Sequence, residues 1–331
     1  MRDITGGTQM ILKMGYFFIL LNLIACNSSK DSNYQIVFED DGLITLVTQN
    51  GDGLLPTFSG DFPEWSPDGT QILFGRGVEN HYQLFFYNIA TKETSQLTNN
   101  PAHGYLYPYY SPTGQNIIYW DEMLFRRLNP LTGDDIVLLD SQYYSSPSLS
   151  TLDTAVAFVS TQDGQPDIYK MTIQMTGKTR LTTNPDLDLN PKWSPKGDKI
   201  AFFTNRDNAR HLYIMNPDGS NQQDVTVVGN IDFDWFPDGS GFAFVVNDEI
   251  YTINVDGSGI KRLTYTEVGV NDRPRVSRDG KYIVFEHVQG FYGSEIQVIG
   301  TNGKGLKTIS HEIDGRWPSW ARWSPIKFSG D

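Results

Sequence analysis

The chain has 331 residues and sets 26 basic side chains against 39 acidic ones, a formal net charge of −13. That balance excludes the basic stripe of a nucleic-acid binder, so no nucleic-acid partner is expected; the acidity serves solubility and favours cationic partners or Ca²⁺. Thirty-one glycines, seventeen prolines and 13% aromatic residues suit a turn-dense all-β fold, and a single cysteine excludes any disulfide within the chain.

The first predicted element is a targeting segment. Tyr16 to Ala25 is an apolar run after Lys13, shorter than the roughly 20 residues a membrane span needs but suited to a signal-peptide core. It ends in Leu23-Ile24-Ala25-Cys26, which resembles the lipobox of bacterial lipoproteins. That resemblance implies cleavage before Cys26 and lipid attachment to it. Residues 1–25 are therefore expected to be a signal peptide, and 26–33 a flexible polar tether. Asn27 follows the cysteine where an Asp is associated with inner-membrane retention, so an outer-membrane, lipid-anchored protein of the bacterial envelope is expected.

Residues 34–326 are organised by a recurring phrase. It appears as Trp65-Ser66-Pro67-Asp68-Gly69, Tyr110-Ser111-Pro112-Thr113-Gly114, Trp193-Ser194-Pro195-Lys196-Gly197, Trp235-Phe236-Pro237-Asp238-Gly239 and Val276-Ser277-Arg278-Asp279-Gly280. A degenerate copy starts at Leu149 and a truncated one, Trp323-Ser324-Pro325, lies near the end. These anchors are spaced 39 to 47 residues apart. A period near forty residues with short apolar runs between turn residues predicts four strands per repeat, the content of one propeller blade. Between Pro191 and Thr226, for example, Lys199–Phe203, Leu212–Met215 and Gln223–Thr226 read as strands, closed by an Asn216-Pro217-Asp218-Gly219 turn.

The ends complete the count. Gln35 to Phe58 supplies three strands without an opening one, and Trp320 to Pro325 supplies an opening strand with nothing after it. Pairing them hides two strand edges, which would otherwise invite aggregation. The expected fold is therefore all-β: a seven-bladed β-propeller of four-stranded antiparallel blades, with one blade split between the N- and C-terminal strands. Residues 327–331 are a tail. The opening Trp, Tyr, Leu and Val of each phrase are expected to be wedges between adjacent sheets.

The phrase Pro-x-Trp-Ser-Pro-Asp-Gly, an Ile-Ala-Phe-like strand, an Ile-Tyr-x-Met strand, Asp-Gly and then Leu-Thr resembles the repeat of TolB-type propellers. The same repeat occurs in the propeller domains of prolyl-oligopeptidase-like and tricorn-type proteases. The resemblance implies the fold over nearly all of the chain after the tether. It implies little about activity, because propellers host unrelated functions. The peptidase branch needs a Gly-x-Ser-x-Gly elbow, and the sequence contains none, nor a His-Glu-x-x-His zinc motif.

Candidate function then rests on the loops opposite the Ser-Pro-Asp-Gly turns. Aromatic and charged residues crowd there: His103, Tyr105, Tyr107, Tyr143, Tyr144, His211, Asp272, Arg273, His287 and Trp317. Large aromatic faces beside charged groups suit recognition of a protein or glycan. Asp186, Asp188 and Asn190 alternate as oxygen donors do around Ca²⁺, but the glycine of an EF-hand turn is missing and such residues more often cap turns, so no metal site is expected. No other cofactor is expected. The reading favoured is a monomeric, lipid-anchored binding or scaffolding module for an envelope protein or glycan. The alternative is a glycan-active enzyme, a polysaccharide lyase or glycosidase, working from the loop face.

Overall fold

The computed structural model describes residues 36–325 apart from 49, 53–57, 122–123, 141–143, 228–231, 291–292 and 311–317. Cys26, the tether, Tyr143 and Trp317 lie outside the described residues, as does the side chain of Tyr144. All described residues fall in the unit Ser32–Asp331.

Seven four-stranded antiparallel sheets form among the described residues, as the repeat period predicts. Blade 1 is the split one. Its inner strand is Ser319–Trp323, followed outward by Ile36–Asp40, Leu43–Val47 and Phe58–Ser59. The seam is a true ladder, with Ile36 opposite Trp323 and Val37 opposite Arg322. Blades 2 to 7 open with the inner strands Asp61–Trp65, Leu106–Tyr110, Tyr144–Leu149, Asp188–Trp193, Phe233–Trp235 and Val270–Val276. Several neighbouring inner strands approach one another, among them Asp61–Trp65 with Leu106–Tyr110 and Tyr144–Leu149 with Asp188–Trp193, as they do around a propeller's central channel. A short helical turn is described at Arg206–Asn208.

The phrase explains itself at atomic level. Gly69 takes φ +70°, which an L side chain reaches only at a cost, and its N–H donates to the Ser66 carbonyl at 2.8 Å. Ser66 Oγ accepts from the Gln71 N–H at 3.0 Å and donates to Asp68 Oδ1 at 2.7 Å. Ser277 and Asp279 repeat this geometry. The anchors are the expected wedges: Trp65 packs against Val37, Ile44 and Leu46 of blade 1 as well as Ile72 and Phe74 of its own blade. Trp235 likewise joins Phe203 and Leu212 of blade 5 to Phe242 and Ile253 of blade 6. The closing Leu-Thr pairs have a polar task too. Thr98, Thr182 and Thr264 each accept a third-strand backbone N–H at 2.9 Å, satisfying a buried donor where the outer strand ends.

Candidate functional site

The feature that builds a site is a bulge repeated in the inner strands. Three residues before the anchor, Phe62, Tyr107, Ser146, Asn190, Arg273 and Trp320 all take positive φ, between +49° and +58°. Each coincides with a register shift against the neighbouring strand. Non-glycine residues rarely adopt this conformation, and Phe, Tyr and Trp do so at a strain cost. Five of the six precede a proline: Pro63, Pro108, Pro147, Pro191 and Pro274. Proline has no N–H to give to a ladder, so it is tolerated where an edge strand bulges. The inner strand is such an edge.

The bulges bring Phe62, Tyr107, Ser146, Asn190 and Trp320 onto one cavity at the end opposite the Ser-Pro-Asp-Gly turns. A cavity of about 840 Å³ opens there, lined by residues of five blades. One arc is aromatic. Phe62 and Tyr107 lie 4.4 Å apart between ring centroids, Tyr107 and Trp320 5.5 Å, Phe62 and Trp320 5.6 Å, and Tyr107 stacks on Trp120 at 5.8 Å. The other arc is polar, with Ser146 and Asn190. Tyr107 is 42% exposed despite its four-ring cluster.

Beneath this rim the residue immediately before five of the anchors is charged (Glu64, Lys192, Asp234, Arg275 and Arg322), and with Asp232 these form a charged layer. Asp232 Oδ1 takes Lys192 Nζ at 3.0 Å and its Oδ2 takes Arg275 Nη1 at 3.0 Å. Arg322 Nε reaches Glu64 Oε2 at 3.0 Å, tying the closing strand to blade 2. Burial alone would raise Asp232, but Arg275 and Lys192 hold it well below the usual carboxylate range. Burial instead prevails at Glu64 and Asp234, which are pushed up, and depresses Lys192. At the rim, Glu286 accepts the Trp320 N–H at 2.8 Å and pairs with Arg273 Nη1 at 2.8 Å, and burial raises it. Glu39 caps the Phe62 N–H; burial, then Asp61, carries it to about 7.

Of the residues singled out from the sequence, Tyr107 and Asn190 line the cavity, and Arg273 sits at a matching bulge with its guanidinium 5.1 Å from the Trp320 ring. Tyr105 turns the other way, into the core, its ring tilted against Tyr119 at 4.6 Å. His287 is buried and bonded to Asn271 at 2.9 Å. His103 pairs with Asp121 at 2.7 Å and His211 with Asp224 at 2.9 Å, apart from the cavity. Asp272 accepts the Arg273 N–H at 2.8 Å. Asp188 is fully buried beside Asn184 and Arg206, so it faces away from Asn190, and Asp186 is part-exposed elsewhere. No group of three or more His, Cys, Asp or Glu suited to a metal occurs among the described residues.

Sequence reasoning missed Phe62, Trp120 and Trp320. For Phe62 a usable signal was present: it precedes a proline two positions before its anchor, as a residue does in four other repeats. Chemically the cavity suits binding. Glu64 is the one carboxylate among its described lining residues and is tied to Arg322, whereas glycoside hydrolysis uses two carboxyl groups across the bond.

Comparison with known proteins agrees with this architecture. A Tol-Pal system protein TolB of Desulfosudis oleivorans is 29% identical over 117 residues, 34% of this chain and 27% of that protein. An uncharacterized peptidase of Bacillus subtilis is 27% identical over 201 residues, 58% of this chain and 29% of that protein. The chain thus spans less than a third of the length of these two relatives. TolB from Acinetobacter baumannii superposes with a TM-score of 0.59 at 16% identity, over 91% of this chain and 69% of that structure, a likeness of fold. Residues 134–325, more than half of the chain, match the family of the TolB beta propeller domain, and to that family this protein belongs.

Proposed function

We propose that the protein is a lipid-anchored binding module of the bacterial cell envelope, which holds a segment of an envelope protein in the mouth of its channel. The observation that carries this reading is the aromatic cavity made by the inner-strand bulges. Strained backbone at six matched positions costs stability, and such strain persists where side chains must be aimed. The rings of Phe62, Tyr107 and Trp320 pack on one another, which favours a protein side chain over a sugar ring needing a broad free face. A Tol-Pal system protein among the relatives supports an envelope role. Lipid attachment at Cys26 and an outer-membrane position remain part of the proposal, resting on the Leu23-Ile24-Ala25-Cys26 sequence.

Two measurements test it. Affinity capture from native envelopes should recover a protein partner with the wild-type chain and lose most of it with Tyr107→Ala and Phe62→Ala combined. Equal recovery by both would remove the mouth from the binding surface. Cys26→Ser should move the protein from the membrane to the soluble envelope fraction. A wild-type protein that is already soluble or carries no acyl chain sinks the anchor.

A further inference from the structure

We infer that the mouth takes the C-terminal residue of its partner, an aromatic residue whose free carboxylate is held by Arg273 and Arg322. This deepens the proposed function and rests on it.

The argument starts at Trp320, where the apolar and cationic parts of the mouth meet. Tyr107 and Phe62 lie 5.5 and 5.6 Å from its ring centre. The guanidinium carbons of Arg273 and Arg322 lie 5.1 and 5.7 Å from the same ring. Trp320 is thus bordered both by the aromatic arc and by two guanidinium groups, so a ligand that carries a ring and an anion on one short frame meets both around it. A terminal aromatic residue carries its ring and its carboxylate on such a frame.

Donor counting supports the carboxylate. A guanidinium has five N–H donors. Arg273 gives Nη1 to Glu286, while Arg322 gives Nε to Glu64 and Nη1 to the Ala321 carbonyl. Their other N–H groups have no partner among the described residues, and Arg273 is the more exposed member of its pair, 39% against 6% for Glu286. Charge-assisted bonds from Arg to a carboxylate are about twice as strong as neutral ones. The layer below has already used its charges. Lys192 and Arg275 share the two oxygens of Asp232, Lys192 also reaches the Phe233 carbonyl, and Arg275 reaches the Pro274 carbonyl at 2.8 Å. Asp232, held ionised between them, repels a second carboxylate there, so the terminal carboxylate is favoured at the rim rather than deeper in the channel. Glu64 also lines the cavity, but Arg322 occupies it and burial disfavours its charge.

The test uses the full chain and N-acetyl-Gly-Gly-Phe as the free acid and as the amide, followed by tryptophan fluorescence and calorimetry. The acid should bind at least about tenfold more tightly than the amide, a difference of about 1.4 kcal/mol. Arg273→Gln should bring that ratio close to one while amide binding persists. Arg322→Gln should act alike, and Arg273→Gln carries the test if breaking the Glu64 pair disturbs the seam. Equal binding of acid and amide, or tighter binding of phenethylamine, overturns the inference. No binding of the acid overturns it too. In that case, partner capture that still depends on Tyr107 leaves the binding module standing, and capture indifferent to Tyr107 removes both.

Discussion

Replacing Tyr107 by alanine and by glycine separates the ring of this residue from its backbone. The ring touches Phe62, Trp120 and Trp320. Aromatic pairs contribute about 0.5–1.5 kcal/mol each, and shared, partly exposed contacts add to less than their sum, so Tyr107→Ala should cost about 2 kcal/mol. Tyr107→Gly loses the same ring but also relieves φ +49°, where a side chain costs about 1–2 kcal/mol and glycine nothing. Glycine's larger unfolded-state entropy returns part of that gain. The glycine variant should therefore be more stable than the alanine variant by about 1 kcal/mol, the reverse of the usual order in a strand. Tyr110, three residues on and outside the positive-φ set, is the control, and there glycine should be worse than alanine by about 0.5–1 kcal/mol. Urea unfolding midpoints at constant slope read both comparisons. If Tyr107→Gly is no more stable than Tyr107→Ala, the bulge is not held in the left-handed region and the account of the mouth fails.

Trp235→Ala should cost about 3–5 kcal/mol, since Trp235 fills the space between blades 5 and 6; a loss below 1 kcal/mol by the same unfolding assay would contradict its role as a wedge. Deleting residues 318–331 removes the closing strand and bares Ile36–Asp40, so light scattering should report aggregation where the whole chain stays dispersed. Glu39 binds its proton more tightly folded than unfolded. Stability from this group is full below about 4.5 and is lost as pH rises through about 7. Glu39→Gln should flatten the fall in stability across that window, and an unchanged slope would show that Glu39 titrates normally.

The architecture was legible because each repeat spells its own contacts. Trp65 and Trp235 had to be wedges, since an indole beside a Pro-Asp-Gly turn has a neighbouring sheet to cover it. The split blade followed from two incomplete sets of strands. The mouth was less legible. Prolines such as Pro108 and Pro191 look like strand breakers, so the residues before them read as loop. In the structure Leu106–Tyr110 and Asp188–Trp193 run straight through those prolines as bulged edge strands. The bulge also resets which side chain faces the channel, so Tyr105 and Tyr107, alike in sequence, part company into core and cavity. Pairings such as Arg322 with Glu64 join residues 258 positions apart, and no local pattern announces them.

The seam also decides how the molecule would bear a load. A pull delivered from the N-terminal side arrives at Ile36, which begins an interior strand. That strand is laced to Leu43–Val47 on one flank and to Ser319–Trp323 on the other. Traction along it strains two rows of backbone hydrogen bonds in shear, all at once. Had the chain entered the ring through an edge strand, the same traction would act on a single row and peel it bond by bond. A pull from that side thus meets one of the most firmly stitched strands in the ring.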